Sequence, residues 1–558
     1  MNTKFQNSEQ VPPVKKSRSN GWIKYLVILL LLIVIGIYPV ASYLQGQKSA
    51  ESIDKQLQNF NSLIKSYGVE DVSFSQKKAD DGINVFSTDS IIEIQTPKGT
   101  FPLFDVHTEH GPLPFSEIKN GHLSPIKTKQ VITLNKTSDF YKAISSAFPN
   151  KDKEPLLIKY LHNYDNYIEG EMIVEKIYVN VNQQGSIQSE PAYIKFESDY
   201  DMNHLSSEFN QAKFLFDVVD KNDRFYYELT NLKANTKFEQ LDLGKWNLEQ
   251  VTQIDSQIQK FGNVELKLNK GDGRVVITHD PVNSRFYSLQ NISDVLLQDR
   301  PFGSYKIEMD LDNLSSNAFK KLGNTLGTIF KEMVDLQKTK PNISNDELND
   351  LVGKKHGGEF LDIAMSFLSS SPKLNYSINL QNASGKFDLS YGLETNPAPS
   401  PEALKGSSSM IFLSMLKNAY LKAQFKGYWL DDTLKEAVQF WAMKNKKPGA
   451  SEEHKKELSD LVHNLQKYWV QSGLMKAPED APSFSVTFFP NSSNIEKSEV
   501  NYNGEQITVP EFLARMQGSL VTLKMLLDQA HFEERIGTIF QSYGEVKNPI
   551  PQNEFKLP

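Results

Sequence analysis

An uncharged run of apolar residues, Tyr25 to Leu44, is long enough to cross a bilayer as a helix. Lys4, Lys15, Lys16, Arg18 and Lys24 precede it, whereas only Lys48 and Lys55 follow before residue 60, so the positive-inside rule places the N-terminus in the cytoplasm. Trp22, Tyr38 and Tyr43 suit the two interfaces. Val40-Ala41-Ser42 makes a poor signal-peptidase site after so long an apolar run, which favours an uncleaved anchor. The expected order is a cytoplasmic basic tail at 1–22, a transmembrane signal anchor at 23–44, and an exported remainder.

Beyond the anchor the period changes. Ala50, Ile53, Leu57, Phe60, Leu63, Ile64 and Tyr67 recur at three- and four-residue spacing, predicting a juxtamembrane amphipathic helix over 45–68. A period of two then dominates. Tyr305, Ile307, Met309 and Leu311 alternate with Lys306, Glu308 and Asp310; Ile194 and Phe196 alternate with Lys195 and Glu197; Val264, Leu266 and Leu268 alternate up to the turn-prone Gly271-Asp272-Gly273. Leu374 to Leu380 and Phe387 to Leu393 flank a short polar segment and read as a hairpin. Phe484, Val486 and Phe488, then Val500 and Tyr502, continue the theme.

Helical spacing covers Ala318 to Leu336 and Glu347 to Leu368. Ser400-Pro401-Glu402 predicts the start of a helix around Ile411 to Tyr420, Ser451 caps a stripe through Leu458, Leu461, Val462, Leu465 and Trp469, and Pro510 opens a last helix carrying Leu513, Met516, Leu520, Leu523 and Leu527. Pro397 to Ser409 is the best candidate for a loose connection. The fold class expected is α+β: one N-terminal transmembrane helix, then a large, mainly antiparallel β-rich body with several packed amphipathic helices. The body divides into a β-rich part at 69–396 with inserted helices and a helix-rich part at 397–558 that returns to the sheet near 483–508.

Composition narrows the function. With no cysteine in 558 residues, thiol catalysis, thiolate metal sites and disulfides are excluded. A net charge of -7 provides no basic footprint for nucleic acid. N-x-S/T sequons, among them those at Asn135, Asn291, Asn313, Asn342, Asn382 and Asn491, sit oddly in a cysteine-free eukaryotic secreted chain, so a bacterial envelope protein is expected and the sequons are chance matches.

Candidate chemistry is sparse. Asp105, His107 and Glu109 would share one strand face, with His110 and His122 near in sequence, but fixed metal-ligand spacing is absent and the wet face of a strand accounts for them. His110-Gly111-Pro112 and Pro114 read as a structural bend that ends ladder pairing. Ser75 with Lys78 and Ser370 with Lys373 match a serine–lysine spacing that also arises by chance. No nucleophile elbow, phosphate-binding loop, dinucleotide fingerprint or H-E-x-x-H occurs. No catalytic residue, metal or cofactor is therefore expected.

The anchor running through Gly36-Ile-Tyr-Pro-Val-Ala-Ser-Tyr-Leu-Gln-Gly46, the segment Phe104-Asp-Val-His-Thr-Glu-His-Gly-Pro-Leu-Pro114 and the late Val500-Asn-Tyr-Asn-Gly504 resemble the bacterial YdgA-like family, a domain of unknown function. The resemblance implies an inner-membrane anchor with a periplasmic body and self-association in some members, and it supplies no activity. The polar tail before Lys24 exceeds the family pattern. The function expected is that of a non-catalytic, single-pass envelope protein acting through a second copy of itself or another envelope protein. The alternative is lipid or hydrophobic-ligand handling in a curved sheet groove, with a hydrolase ranked below both.

Overall fold

Alternation of aromatic and β-branched residues with polar ones persists over much longer stretches than an ordinary strand, and the computed structural model turns these stretches into one antiparallel sheet of 21 strands. It describes residues 72–541 together with 57, 58, 61, 62 and 65, except for 79–86, 111–125, 341–343, 398–414, 445–450, 492–496 and short breaks at 98, 164, 166, 182–183, 200–202, 221–222, 243, 263 and 369.

The sheet is close to a meander. Strands β1 (Ser73–Lys78), β2 (Ser87–Thr96), β3 (Gly99–His110), β4 (Ile126–Leu134), β5 (Leu156–Asn163) and β6 (Tyr167–Val174) pair in sequence order. β6 then pairs with β9 (Ala192–Asp199), and β9 lies against one half of β10 (His204–Asp220). The other half of that edge of β10 takes β8 (Gly185–Ser189), which forms a hairpin with β7 (Ile177–Asn180). From β10 onward each strand pairs with its successor: β11 (Asp223–Asp242), β12 (Lys245–Phe261), β13 (Val264–His279), β14 (Asn283–Leu297), β15 (Arg300–Ser315), β16 (Lys373–Asn382), β17 (Gly385–Thr395), β18 (Leu416–Gly427), β19 (Ser483–Phe489), β20 (Glu499–Tyr502) and β21 (Glu505–Thr508).

Two-residue turns keep these connections tight. Asn503 and Gly504 both have positive φ between β20 and β21, as do Gln298 and Asp299 between β14 and β15, the conformation that matches hairpin twist.

Helices occupy the connections. Of those with described ends, α1 (Asp139–Ser145) joins β4 to β5; α2 (Ser316–Thr339) and α3 (Asn345–Leu368) form a hairpin between β15 and β16; α4 (Trp429–Lys444) and α5 (Glu452–Gln471) lie between β18 and β19; α6 (Val509–Gln529) and α7 (Phe532–Gln541) follow β21. The predicted starts are visible as caps, since the Ser451 and Thr508 hydroxyls accept from the His454 and Glu511 backbone N–H groups.

The expected α+β class is therefore corrected. The ladder runs through nearly the whole described chain, and the helices, apart from α6 and α7 after β21, are insertions between neighbouring strands rather than a second structural half. The transmembrane helix expected at 23–44 lies outside the described residues, and among the described residues no helix is long and apolar enough to cross a membrane. Two local expectations also change. Leu416 to Tyr420, expected in a helix, belong to β18, because Ala419, Leu421, Ala423 and Phe425 pair on one face with β17 and β19. β13 passes straight through Gly271–Gly273, where ladder bonds to β12 and β14 override the turn signal.

The largest core gathers under β2–β12 and α1, with Leu134, Ile144, Phe148, Ile168, Phe196 and Phe238 among its buried members. Leu57, from the stretch predicted as amphipathic helix, is buried in this core, and the described residues of that stretch are helical. The Asn61 carboxamide clamps the sheet edge by donating to the Phe74 carbonyl at 2.8 Å and accepting from the Phe74 N–H at 2.7 Å. Asn61→Ala is expected to cost about 2 kcal/mol, because both groups of Phe74 lose their partner; an unchanged denaturation midpoint would show that water replaces the clamp.

Candidate functional site

From β15 to β19 the register places most apolar strand residues on one face. Tyr305, Ile307, Met309 and Leu311 stand beside Leu380, Ile378, Tyr376 and Leu374; these meet Phe387, Leu389, Tyr391 and Leu393, then Phe425, Ala423, Leu421 and Ala419, and finally Phe484, Val486 and Phe488. The opposite face carries Lys306, Glu308, Asp310, Asn375, Asn379, Lys386, Asp388, Lys422 and Lys426. Such a face ordinarily packs out of water. Here only Phe425 among these apolar residues is buried; Tyr391 remains 40% exposed and Leu421 39% exposed.

One end of this face is closed by aromatic rings. Phe425 sits 4.7 Å from Phe387 and 5.2 Å from Trp469 between ring centroids, and Trp429 stacks on Phe387 at 5.1 Å. The Gln466 amide, fully buried, donates to the Gly427 carbonyl at 3.1 Å and helps to seat α5 on the strand end. Behind them Val438, Ala442, Leu458, Leu461 and Ile539 tie α4, α5 and α7 together.

A second apolar surface lies on α6. Its inner side presents Phe512 and Met516 to Val500, Tyr502 and Ile507 of β20 and β21. Its outer side leaves Leu513 59%, Leu520 44%, Val521 54% and Met525 57% exposed. The near-heptad stripe predicted from the sequence is thus split: Met516, Leu523 and Leu527 turn inward by half or more, whereas Leu513 and Leu520 join the outer set. Sequence reasoning put Tyr391 on the apolar face of a strand but did not single out Val521, Met525 or Leu421, since periodicity reports that a face is apolar and not what covers it.

The residues singled out for chemistry are placed as follows. Asp105, His107 and Glu109 do share a face of β3, but the Asp105 carboxylate accepts from the Asn135 amide at 2.6 Å, while His107 Nδ1 meets Asp89 at 2.6 Å and its Nε2 lies 3.9 Å from Glu109. Among the described residues no group of three or more His, Asp or Glu is arranged to hold a metal ion. The backbone of His110 pairs with Thr128 at the end of β3. The side chain of His110, together with Gly111, Pro112, Pro114 and His122, lies outside the described residues. Ser75 and Lys78 point to opposite faces of β1 by strand alternation. The Ser370 hydroxyl donates toward the Asn313 and Phe367 carbonyls, and Lys373 turns to Glu394 at 3.6 Å.

The α2–α3 hairpin contains a titratable cluster that sequence spacing did not reveal. His356, 2% exposed, bonds Glu332 at 2.9 Å through Nε2 and meets Glu359 at 3.2 Å through Nδ1; Lys355 also binds Glu332 and Thr325 donates to Glu359. The hydrogen bond to Glu332 raises the His356 pKa from its ordinary 6.5, and Lys355 with His356 lowers that of Glu332 from 4.5. The raised histidine contributes stability that is complete below pH 6.5 and is lost as pH rises through its folded value; the lowered glutamate contributes above 4.5 and loses it as pH falls. Hydrogen exchange within α2 and α3, corrected for intrinsic rates, is therefore expected to be slowest between these limits and faster at pH 8 than at 5.5. Equal protection at both values would remove the cluster as the cause.

No curated protein and no solved structure matches the chain. The model of the family described as bacterial protein of unknown function (DUF945) matches residues 23–510, and this protein belongs to that family.

Proposed function

We propose that this protein is a non-catalytic component of the bacterial envelope that works by association, either with a second copy of itself or with another envelope protein. The observation that carries this reading is the outer side of α6, where Leu513, Leu520, Val521 and Met525 stay in water on a helix already seated in the fold. Covering such side chains is favourable by about 25 cal/mol per Å² of apolar surface. Support for a non-catalytic role comes from Ser370, Asp105 and His107, whose polar atoms are engaged in structural contacts.

The location proposed is the inner membrane, with the N-terminal tail cytoplasmic and the sheet periplasmic. Its support is the uncharged Tyr25 to Leu44 run, the basic residues before it, and the YdgA-like wording of Gly36 to Gly46 and Phe104 to Pro114 within the wider family.

Because the chain contains no cysteine, Val521→Cys creates a unique attachment point. A thiol-linked photocrosslinker placed there in intact membranes is expected to yield a homodimer or one discrete heteromeric adduct, and Leu520→Glu in the same chain is expected to remove it. Monomer alone would end the association reading. Protease added before and after outer-membrane permeabilisation tests location separately: digestion of the body only after permeabilisation is expected, and protection in both states contradicts it.

A further inference from the structure

We propose that the α2–α3 hairpin is a pH-operated clasp, fixed to the sheet at its base and closed at its distal half only while His356 is charged. The clasp is separate from α6 and does not depend on the association reading. His356 of α3 lies between two carboxylates: Nε2 is 2.9 Å from Glu332 of α2, and Nδ1 is 3.2 Å from Glu359. Carboxylates accept and do not donate, so both ring nitrogens need a proton, which only the imidazolium supplies. A neutral ring turns one nitrogen lone pair against a carboxylate oxygen at a side chain 2% exposed. Two further contacts bridge the helices, Lys355 to Glu332 and the Thr325 hydroxyl to Glu359. Lys355 is 63% exposed, so water and salt screen its pair, and the hydroxyl bond lacks the strength of the charged one that is lost.

The helix around the latch is weak by composition. Gly353, Gly357 and Gly358 lie inside α3, and a Cβ at any of them would meet nothing within 4 Å. Packing therefore does not call for glycine, and each one weakens the helix about fivefold relative to alanine. The base is built differently. The Ser316 hydroxyl ties the start of α2 to the Asp280 carbonyl at 2.7 Å. The Ser370 hydroxyl donates to the Asn313 carbonyl at 2.6 Å, the Asn313 amide donates to the Ser371 carbonyl at 3.1 Å, and Phe319 meets Phe367 edge-on at 5.0 Å. Loss of the charge therefore releases the distal half of α3 while the base holds. Release uncovers Ile329, which is buried on the α2 stripe between Thr325 and Glu332, so an apolar surface is presented only in the open form.

The full-length chain has no cysteine, so Lys320→Cys at the base of α2 and Asp350→Cys in distal α3 place two spin labels about 25 Å apart along the hairpin axis. Pulsed dipolar spectroscopy is expected to give one narrow distance at pH 5.5 and, at pH 8, a second, broad population at least tenfold larger than any at pH 5.5. His356→Arg, which donates to both carboxylates at either pH, is expected to stay narrow, and His356→Gln to be broad at both. Gly353→Ala combined with Gly357→Ala and Gly358→Ala is expected to reduce the open population at pH 8 at least fivefold. Amide exchange, corrected for intrinsic rates, is expected to quicken at pH 8 over 346–358 but not over 361–368 of α3. One distance at both pH values, a pH response that survives His356→Gln, an open population indifferent to the three alanines, or loss of protection at the base as well would each overturn the clasp.

Discussion

Gly170→Val is expected to destabilise the N-terminal core by about 4 kcal/mol, the sum of an overpacking cost and the lost burial of an aromatic ring. Gly170 of β6 stands opposite Phe196 of β9, and a Cβ at position 170 would fall within the Phe196 ring. That ring is 4% exposed and buried in the same core as Ile168, Met172 and Ile194. The two residues therefore act as one packing unit. Phe196→Leu alone loses ring contacts, but combined with Gly170→Val it removes the clash, so the double variant is expected to be more stable than Gly170→Val alone. Urea denaturation of the four chains would give a coupling energy of more than about 1 kcal/mol. Simple additivity, or a single-variant loss below about 1 kcal/mol, would mean that the ring does not lie over the glycine.

The second large effect concerns the aromatic plug. Phe425→Ala is expected to cost about 3–5 kcal/mol, the range for removing a buried aromatic side chain. Phe425 belongs to β18 yet touches Trp429 of α4 and Trp469 of α5, so its loss is felt where the helices meet the sheet. Amide exchange is expected to quicken across Trp429 to Gln471 while Ile126 to Asp199, in the separate N-terminal core, keeps its protection. Trp429 and Trp469 should report the same event as a red-shifted emission. A uniform rise in exchange over both regions would show instead that the sheet unfolds as one cooperative unit.

Several elements were legible because their signals are local. The β16–β17 hairpin and the starts of α5 and α6 depend on alternation and a capping hydroxyl within a few residues of one another. β10 was harder. Its apolar positions are Leu205 and Phe209, both odd, in one half, but the other half is apolar at Phe214, Leu215, Phe216, Val218 and Val219, on both parities, although the register with β11 continues unbroken. The second half of the strand thus carries apolar residues on both faces, and a simple period of two does not describe it. β18 failed for another reason: a good helix start at Ser400-Pro401 outweighed the alternation of Ala419, Leu421, Ala423 and Phe425, two of which are alanines that favour helix.

The sequence by itself determined the antiparallel, one-sided character of the strands, the uncharged run near the N-terminus, the absence of thiol chemistry and the family resemblance, since each is written in neighbouring residues or in composition. Only the tertiary structure decided that the strands join into a single 21-stranded ladder, that the Asn61 side chain grips Phe74, and that His356 lies between two carboxylates. It also decided which apolar residues end up covered. Leu513 and Met516 are equivalent in a helical pattern, as Leu421 and Phe425 are in a strand pattern, yet one of each pair stays in water because no described element packs over it. Local periodicity sets the direction in which a side chain points; the partner it meets is supplied by chain segments far away in sequence.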